Sequence, residues 1–154
     1  MRTGADYRQS LNDGRRIFVL GQGWIEDVAT HPATGAMVDE YVTWYDRHFD
    51  PAWQDVVLIP ADAAGKRIPV SYLVPRTAQD LTLMGRCFAA TTFPTAGNIT
   101  HTPAYGHLIA LGVEHAVSLR NVSPEQLANA RAYREEIART GRFLTFAAGS
   151  SRSR

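Results

Sequence analysis

A mainly α-helical domain with short β-hairpins, an α+β fold, is what this sequence predicts, on three observations. Four segments carry apolar residues at helical spacing, and three of them follow a capping residue or an early proline. Two short extended runs meet across Gly21-Gln22-Gly23, a turn that suits a hairpin. The composition, 45% hydrophobic and 20% charged over 154 residues, is that of one globular domain rather than a disordered chain.

Taken in order, residues 3–12 read as a short helix with Thr3 as cap, Tyr7 and Leu11 on one face, and Asp13-Gly14 as its close. Residues 15–20 and 24–28 form the hairpin, with Ile17, Val19 and Ile25 alternating. A helix over residues 31–49 follows, with Pro32 early and an aromatic-rich stripe of Met37, Val38, Tyr41, Val42, Trp44 and Tyr45 that reads as core. His48 would suit the C-terminal end of that helix electrostatically. Residues 56–59 and 68–73 read as an extended pair around the turn residues Asp62-Ala63-Ala64-Gly65, with Pro69 confining the second run to an edge.

Thr77 caps a helix over residues 77–93, with Asp80 answering its dipole and Leu81, Met84, Phe88 and Ala89 facing inward. Cys87 on that helix reads as a small apolar packing residue. Thr102 and Pro103 open a helix over residues 103–113, and Ser123 with Gln126 opens one over residues 123–138. These helices are expected to pack through Tyr41, Trp44, Leu81, Phe88, Leu108 and Tyr133. Residues 142–147 read as a strand with no partner, which implies an incomplete domain, and residues 149–154 as a disordered tail.

Sixteen Lys and Arg against fifteen Asp and Glu give no electrostatic case for nucleic acid or an anionic membrane as partner. The polar start of the chain lacks a signal peptide, no apolar run approaches a membrane span, and one cysteine fits a reducing compartment, so a cytoplasmic protein is expected. Metal-ligand spacing, a phosphate-cradling glycine loop and a nucleophile–base pair are all missing from the sequence. The one polar constellation is Ile99-Thr100-His101-Thr102-Pro103-Ala104-Tyr105-Gly106-His107. A helix beginning at Pro103 puts His101 just outside its N-terminus and Tyr105 in its first turn, beside free backbone N–H groups that favour an anion or a polarised hydroxyl. The plain alternative is that Thr-Pro only starts a helix and His101 is a solvated loop residue.

A set of blocks in fixed order carries a resemblance. They are Thr3-Gly4-Ala5-Asp6-Tyr7, Ser10-Leu11-Asn12-Asp13-Gly14-Arg15, Glu26-Asp27-Val28, Thr30-His31-Pro32 and Tyr45-Asp46. Pro75-Arg76-Thr77 with Asp80-Leu81, and His101-Thr102-Pro103-Ala104-Tyr105, complete the order. From Thr3 to about Thr145 the chain resembles the N-terminal region of the 4-hydroxyphenylacetate 3-hydroxylases, the oxygenase components of two-component flavin monooxygenases. The resemblance implies the helical N-terminal domain of an acyl-CoA-dehydrogenase-like fold, truncated, over residues 1–148, running into the first strand of a central β domain that is not in this chain. It implies FAD, supplied reduced as FADH2 by a separate reductase, a phenolic or related aromatic substrate, and ortho-hydroxylation. It also leaves room for a homo-oligomer or a complementing chain.

The family's usual Arg-Thr-Pro-Asp-Tyr stands here as His101, Thr102, Pro103, Ala104 and Tyr105, and its histidine after Leu-Thr stands as Phe146. His101, Tyr105 and Phe146 are therefore the expected substrate-binding positions, with no catalytic residue assigned and the flavin contacts unknown. Loss of the guanidinium and of the second imidazole weakens the case for a bound phenolate. A related branch, a radical dehydratase with an iron–sulfur cluster, needs more thiolates than Cys87 alone supplies. Two readings stand. One is the N-terminal part of an FADH2-dependent aromatic monooxygenase, inactive alone because its flavin site is incomplete. The other is a non-catalytic remnant or interaction module whose unfinished strand binds a partner chain.

Overall fold

Three helices begin where the sequence places its caps. The structure, a computed structural model, describes residues 1–60, 62–93, 102–120 and 123–144. It contains α1 (Gly4–Gln9), a hairpin of β1 (Ile17–Val19) and β2 (Gly23–Ile25), α2 (Gly35–Asp46), α3 (Gln54–Val57), a 3₁₀ turn at Val70–Tyr72, α4 (Ala78–Thr92), α5 (Pro103–Leu119) and α6 (Pro124–Thr140). The Thr3 hydroxyl accepts from Asp6 N at 3.1 Å while the Asp6 carboxylate accepts from Thr3 N at 2.9 Å. The same reciprocal box joins Thr77 to Asp80 in α4 and Ser123 to Gln126 in α6. Each satisfies helix-end N–H groups that would otherwise lack an acceptor, at about 1 kcal/mol per cap. Gly141 ends α6 in the left-handed region, φ 66°.

Two packed clusters hold the helices together. The first is aromatic: Tyr7 of α1 and Leu11 just after it, Trp44 and Tyr45 of α2, and Ala104 of α5, with Phe143 packed against them. Tyr7 stacks on Tyr45 at 5.5 Å, and Phe143 lies 4.5 Å from Tyr41. The second is aliphatic: Val57, Leu58, Val70, Met84 and Cys87. Phe88 of α4 touches both. Gly4 brings α1 onto α2, because a Cβ there would sit 2.6 Å from the Val42 carbonyl oxygen. The Gly4 N–H donates to Asp46 at 2.8 Å across that contact. In the hairpin, Ile17 pairs with Ile25 and Phe18 with Trp24. Ile25 is buried, whereas Phe18 and Trp24 meet edge to face at 5.4 Å on an exposed surface.

Several expectations need correction. Residues 56–59 and 68–73 are not paired strands. Gln54–Val57 is a helical turn and Val70–Tyr72 a 3₁₀ turn, leaving one isolated bridge between Leu58 and Pro69. Pro69 can donate nothing to a ladder, so pairing stops there. The turn between them does form: Asp62 accepts from the N–H of Ala64 and of Lys66, and Gly65 has φ 75°. Helix α2 begins at Gly35, because the His31 carbonyl closes a turn onto Thr34 N and Gly35 N and the Thr34 hydroxyl donates to the Val28 carbonyl. Helix α5 continues through Gly112 to Leu119. Glu114, on the extension, holds Arg134 and Arg131 of α6, which outweighs one glycine.

Leu81 and Tyr133 are exposed rather than packed. The buried positions of α4 are Met84, Cys87 and Thr91. Burial pushes the Cys87 thiol up to about 12, so it packs as an apolar residue. Residues 142–144 lie in no strand, and the rest of that predicted strand falls outside the described residues. Among the described residues no helix is long and apolar enough to cross a membrane.

Candidate functional site at the start of α5

Helix α5 starts without a side-chain cap. Pro103 takes the first helical position and Tyr105 N donates to the Thr102 carbonyl at 3.0 Å. The Thr102 hydroxyl, however, is buried and meets no hydrogen-bond partner among the described residues. Packing holds this end instead. Ala104 is fully buried in the aromatic cluster. At Gly106, a Cβ would lie 2.0 Å from the Leu144 carbonyl oxygen and 2.4 Å from its carbon. Only glycine lets residues 142–144 lie directly on the helix at this point. Tyr105 sits between these two contacts, half-buried.

The segment leaving α6 is fixed by donors from three elements. The Tyr45 hydroxyl donates to the Gly141 carbonyl at 2.9 Å, and the Tyr72 hydroxyl to the Arg142 carbonyl at 3.2 Å. His107 Nε2 contacts the same Arg142 carbonyl at 2.9 Å. A carbonyl only accepts, so Nε2 carries the proton and Nδ1 the lone pair. Burial pushes His107 down to about 4, against the opposing pull of the Arg142 contact. His48 is lowered by burial as well, with its Nδ1 on the Tyr45 carbonyl at 3.1 Å. The neutral His48 therefore does not serve α2 as a C-terminal cation. Burial raises the Tyr72 phenol, and the Tyr7 phenol to about 12.

The resulting wall is aromatic and uncharged at neutral pH. Tyr72 lies 4.5 Å from His107, and Trp44 lies 4.6 Å from His48 and 6.4 Å from His107. Such a wall can pack a ring and exchange hydrogen bonds. Of the three expected binding positions, Tyr105 is in the first turn of α5 as anticipated; His101 and Phe146 lie outside the described residues. The sequence alone gives neither buried histidine a binding role: His107 only closes the polar stretch that begins at Ile99, and His48 only ends a helix. Their signal was position: His107 falls one turn after Ala104, and His48 one turn after Trp44, each inside an apolar stripe.

The hollow beside this turn, lined by Gly106, Ile109, Ala110, Val113, Tyr133 and Leu144, holds about 230 Å³. Its lining is almost entirely carbon and has no cation for a pyrophosphate. FAD does not fit this hollow alone.

Comparison with known proteins agrees with the sequence blocks. The family described as 4-hydroxyphenylacetate 3-hydroxylase N terminal matches residues 3–152. The oxygenase component of a 4-nitrophenol 4-monooxygenase/4-nitrocatechol 2-monooxygenase from Rhodococcus opacus is 41% identical over 80 residues, covering 52% of this chain and 15% of that protein. The 4-hydroxyphenylacetate 3-monooxygenase oxygenase component of Thermus thermophilus is 28% identical over 111 residues, 71% of this chain and 22% of that one. A crystal structure of such an oxygenase component complexed with FAD and 4-hydroxyphenylacetate superposes with a TM-score of 0.76 at 24% identity, over 92% of this chain and 29% of that chain. The chain thus spans less than a third of the length of the proteins it matches.

Proposed function

The chain belongs to the 4-hydroxyphenylacetate 3-hydroxylase N-terminal family, and we propose that it serves as the substrate-side wall of an FADH2-dependent oxygenase acting on a phenol or related aromatic compound. FADH2, delivered by a separate reductase, would supply the oxygen-activating chemistry; residues outside the described part would hold it. The observation that carries this reading is the first turn of α5. A tyrosine stands there between a fully buried alanine and a glycine closed by backbone, in a wall of neutral aromatic side chains. Tyr105 would hydrogen-bond the substrate hydroxyl, with His101 from the residue before the cap and Phe146 packing on the ring. With histidine in place of the family's arginine, the pocket lacks a permanent cation for a phenolate, which favours a neutral phenol.

The test is a chimera in which this chain replaces the matching segment of the Rhodococcus opacus oxygenase component, supplied with reduced FAD and 4-nitrophenol. Hydroxylated product is expected, and Tyr105→Phe should divert reduced flavin to hydrogen peroxide. A chimera that folds and binds flavin but oxidises it without product, whether or not Tyr105 is changed, overturns the reading. The isolated chain should show no micromolar, stoichiometric FAD binding by calorimetry.

A further inference from the structure

Two buried polar atoms, Ser71 Oγ in the 3₁₀ turn and His107 Nδ1 in α5, meet no hydrogen-bond partner among the described residues. Ser71 is 7% exposed and His107 5%, so bulk solvent satisfies neither. Both residues line one small cavity between the 3₁₀ turn, α5 and α6. Leu73, Leu111 and Ile137 supply carbon to its walls, and Arg134, which also borders it, is held by Glu114. The cavity measures about 10 Å³, the space of a single water molecule, which excludes any larger guest.

The hydrogen-bond roles are set by the surroundings. His107 Nε2 carries the ring proton, because the Arg142 carbonyl at 2.9 Å can only accept. Arg142 does not line the cavity, so the polar atom that the ring has left for the cavity is Nδ1, a lone pair in need of a donor. The Ser71 hydroxyl can donate and accept, yet no direct bond joins it to the ring. One water satisfies both, donating an O–H to Nδ1 and accepting the O–H of Ser71.

We infer that this cavity binds one water molecule, and that Ser71 is thereby a positioning residue for the 142–144 segment. A water donating to Nδ1 fixes the ring in the form with its N–H on the Arg142 carbonyl. That carbonyl also accepts from the Tyr72 hydroxyl at 3.2 Å, so both of its lone pairs are used. The series Ser71, water, His107, Arg142 ties the 3₁₀ turn to the backbone that closes over Gly106 in the first turn of α5. It rests on polar satisfaction inside this chain and holds whether or not the chain takes part in hydroxylation.

The test is NMR on the chain with 15N-labelled histidine. A long-lived water should give cross-relaxation to both the His107 Hε1 and Ser71 Hβ protons, and the ring should carry its proton on Nε2. Ser71→Ala should move the Nδ1 resonance toward the position of an unbonded lone pair. In the same variant the Nε2 proton should exchange with solvent about fivefold faster, as expected for the loss of one hydrogen bond. Tyr72→Phe keeps the ring that borders the cavity and removes only the other donor to Arg142, so Nδ1 should stay where it is. The inference is overturned if no long-lived water contacts His107, or if the ring carries its proton on Nδ1. It is equally overturned if Ser71→Ala leaves Nδ1 unmoved, or if Tyr72→Phe moves it as far, since the shift would then report a general disturbance of the segment.

Discussion

Helices α4 and α5 both begin with threonine at the N-cap, and they use it in opposite ways. Thr77 closes a full box with Asp80, the hydroxyl accepting at 3.1 Å and the carboxylate at 2.9 Å. Thr102 has the same extended backbone, φ −78° and ψ 135°, yet its hydroxyl caps nothing and is buried. Three residues past Thr77 stands an aspartate; three past Thr102 stands Tyr105, which cannot return the hydrogen bond. A start like that of α4 is secured by its own four residues. The start of α5 is secured from outside, by the aromatic cluster under Ala104 and the backbone over Gly106. The helix end that carries the candidate site is thus the one that depends on the rest of the molecule.

If that dependence holds, the largest effect belongs to Gly106→Ala. Alanine is the better helix former by about 1 kcal/mol, but its Cβ would collide with the backbone of Leu144 at 2.0–2.4 Å. Backbone cannot step aside as a flexible side chain can, so a loss of about 3 kcal/mol is expected. Gly112 provides the control in the same helix, because among the described residues nothing lies within 4 Å of its Cβ position. Gly112→Ala should stabilise by about 0.5–1 kcal/mol. Urea unfolding of the two variants measures both signs. Equal effects would mean that the 142–144 segment does not press on α5.

Next in size is the pH response of His107, one of the donors that hold that segment. Its pKa lies near 4 in the fold, against 6.5 in the unfolded chain. Between these values the unfolded state binds more protons, so stability rises with pH through this window and is complete above about 6.5. Acidification from pH 6.5 to 4 should therefore remove up to about 3 kcal/mol. His48, shifted in the same direction by burial, adds to the loss. His107→Phe should flatten the slope, at the expense of the contact with Arg142. An unchanged slope in that variant would assign the response to other groups.

The contrast between the two threonines also explains what could be read in the sequence. The α1, α4 and α6 starts were legible because a box needs only two residues three apart, and the hairpin because two glycines flank its turn. The segments around residues 56–59 and 68–73 were misread as strands. Short apolar runs such as Val56-Val57-Leu58-Ile59 have no period that separates a strand from a buried turn. At the site, Tyr105 could be placed by counting from Pro103. The parts played by His48, His107 and Gly106 could not, since they are set by the carbonyls of Tyr45, Arg142 and Leu144. Two of these carbonyls, Arg142 and Leu144, belong to a segment that no periodicity ties to α5.

The smallest effects make the sharpest test. Thr77→Ala and Ser123→Ala each remove an acceptor from a helix-end N–H and should cost about 1 kcal/mol. Thr102→Val removes a hydroxyl that meets no partner among the described residues, and keeps the branched shape that fills the site. The buried hydroxyl already bears its desolvation cost in the native fold, so replacing it with a methyl group relieves that cost without breaking a bond. The expected change is zero or a gain of up to about 1 kcal/mol, measured in the same urea titrations. The sequence alone gives the contrary expectation, because a threonine followed by proline at the first helical position is an ordinary cap. A loss of about 1 kcal/mol in Thr102→Val, matching Thr77→Ala, would show that α5 secures its own start as α4 does. The dependence of the candidate site on the 142–144 segment would then lose its support at the N-cap and rest on Gly106, the His107–Arg142 contact and the packing of Phe143.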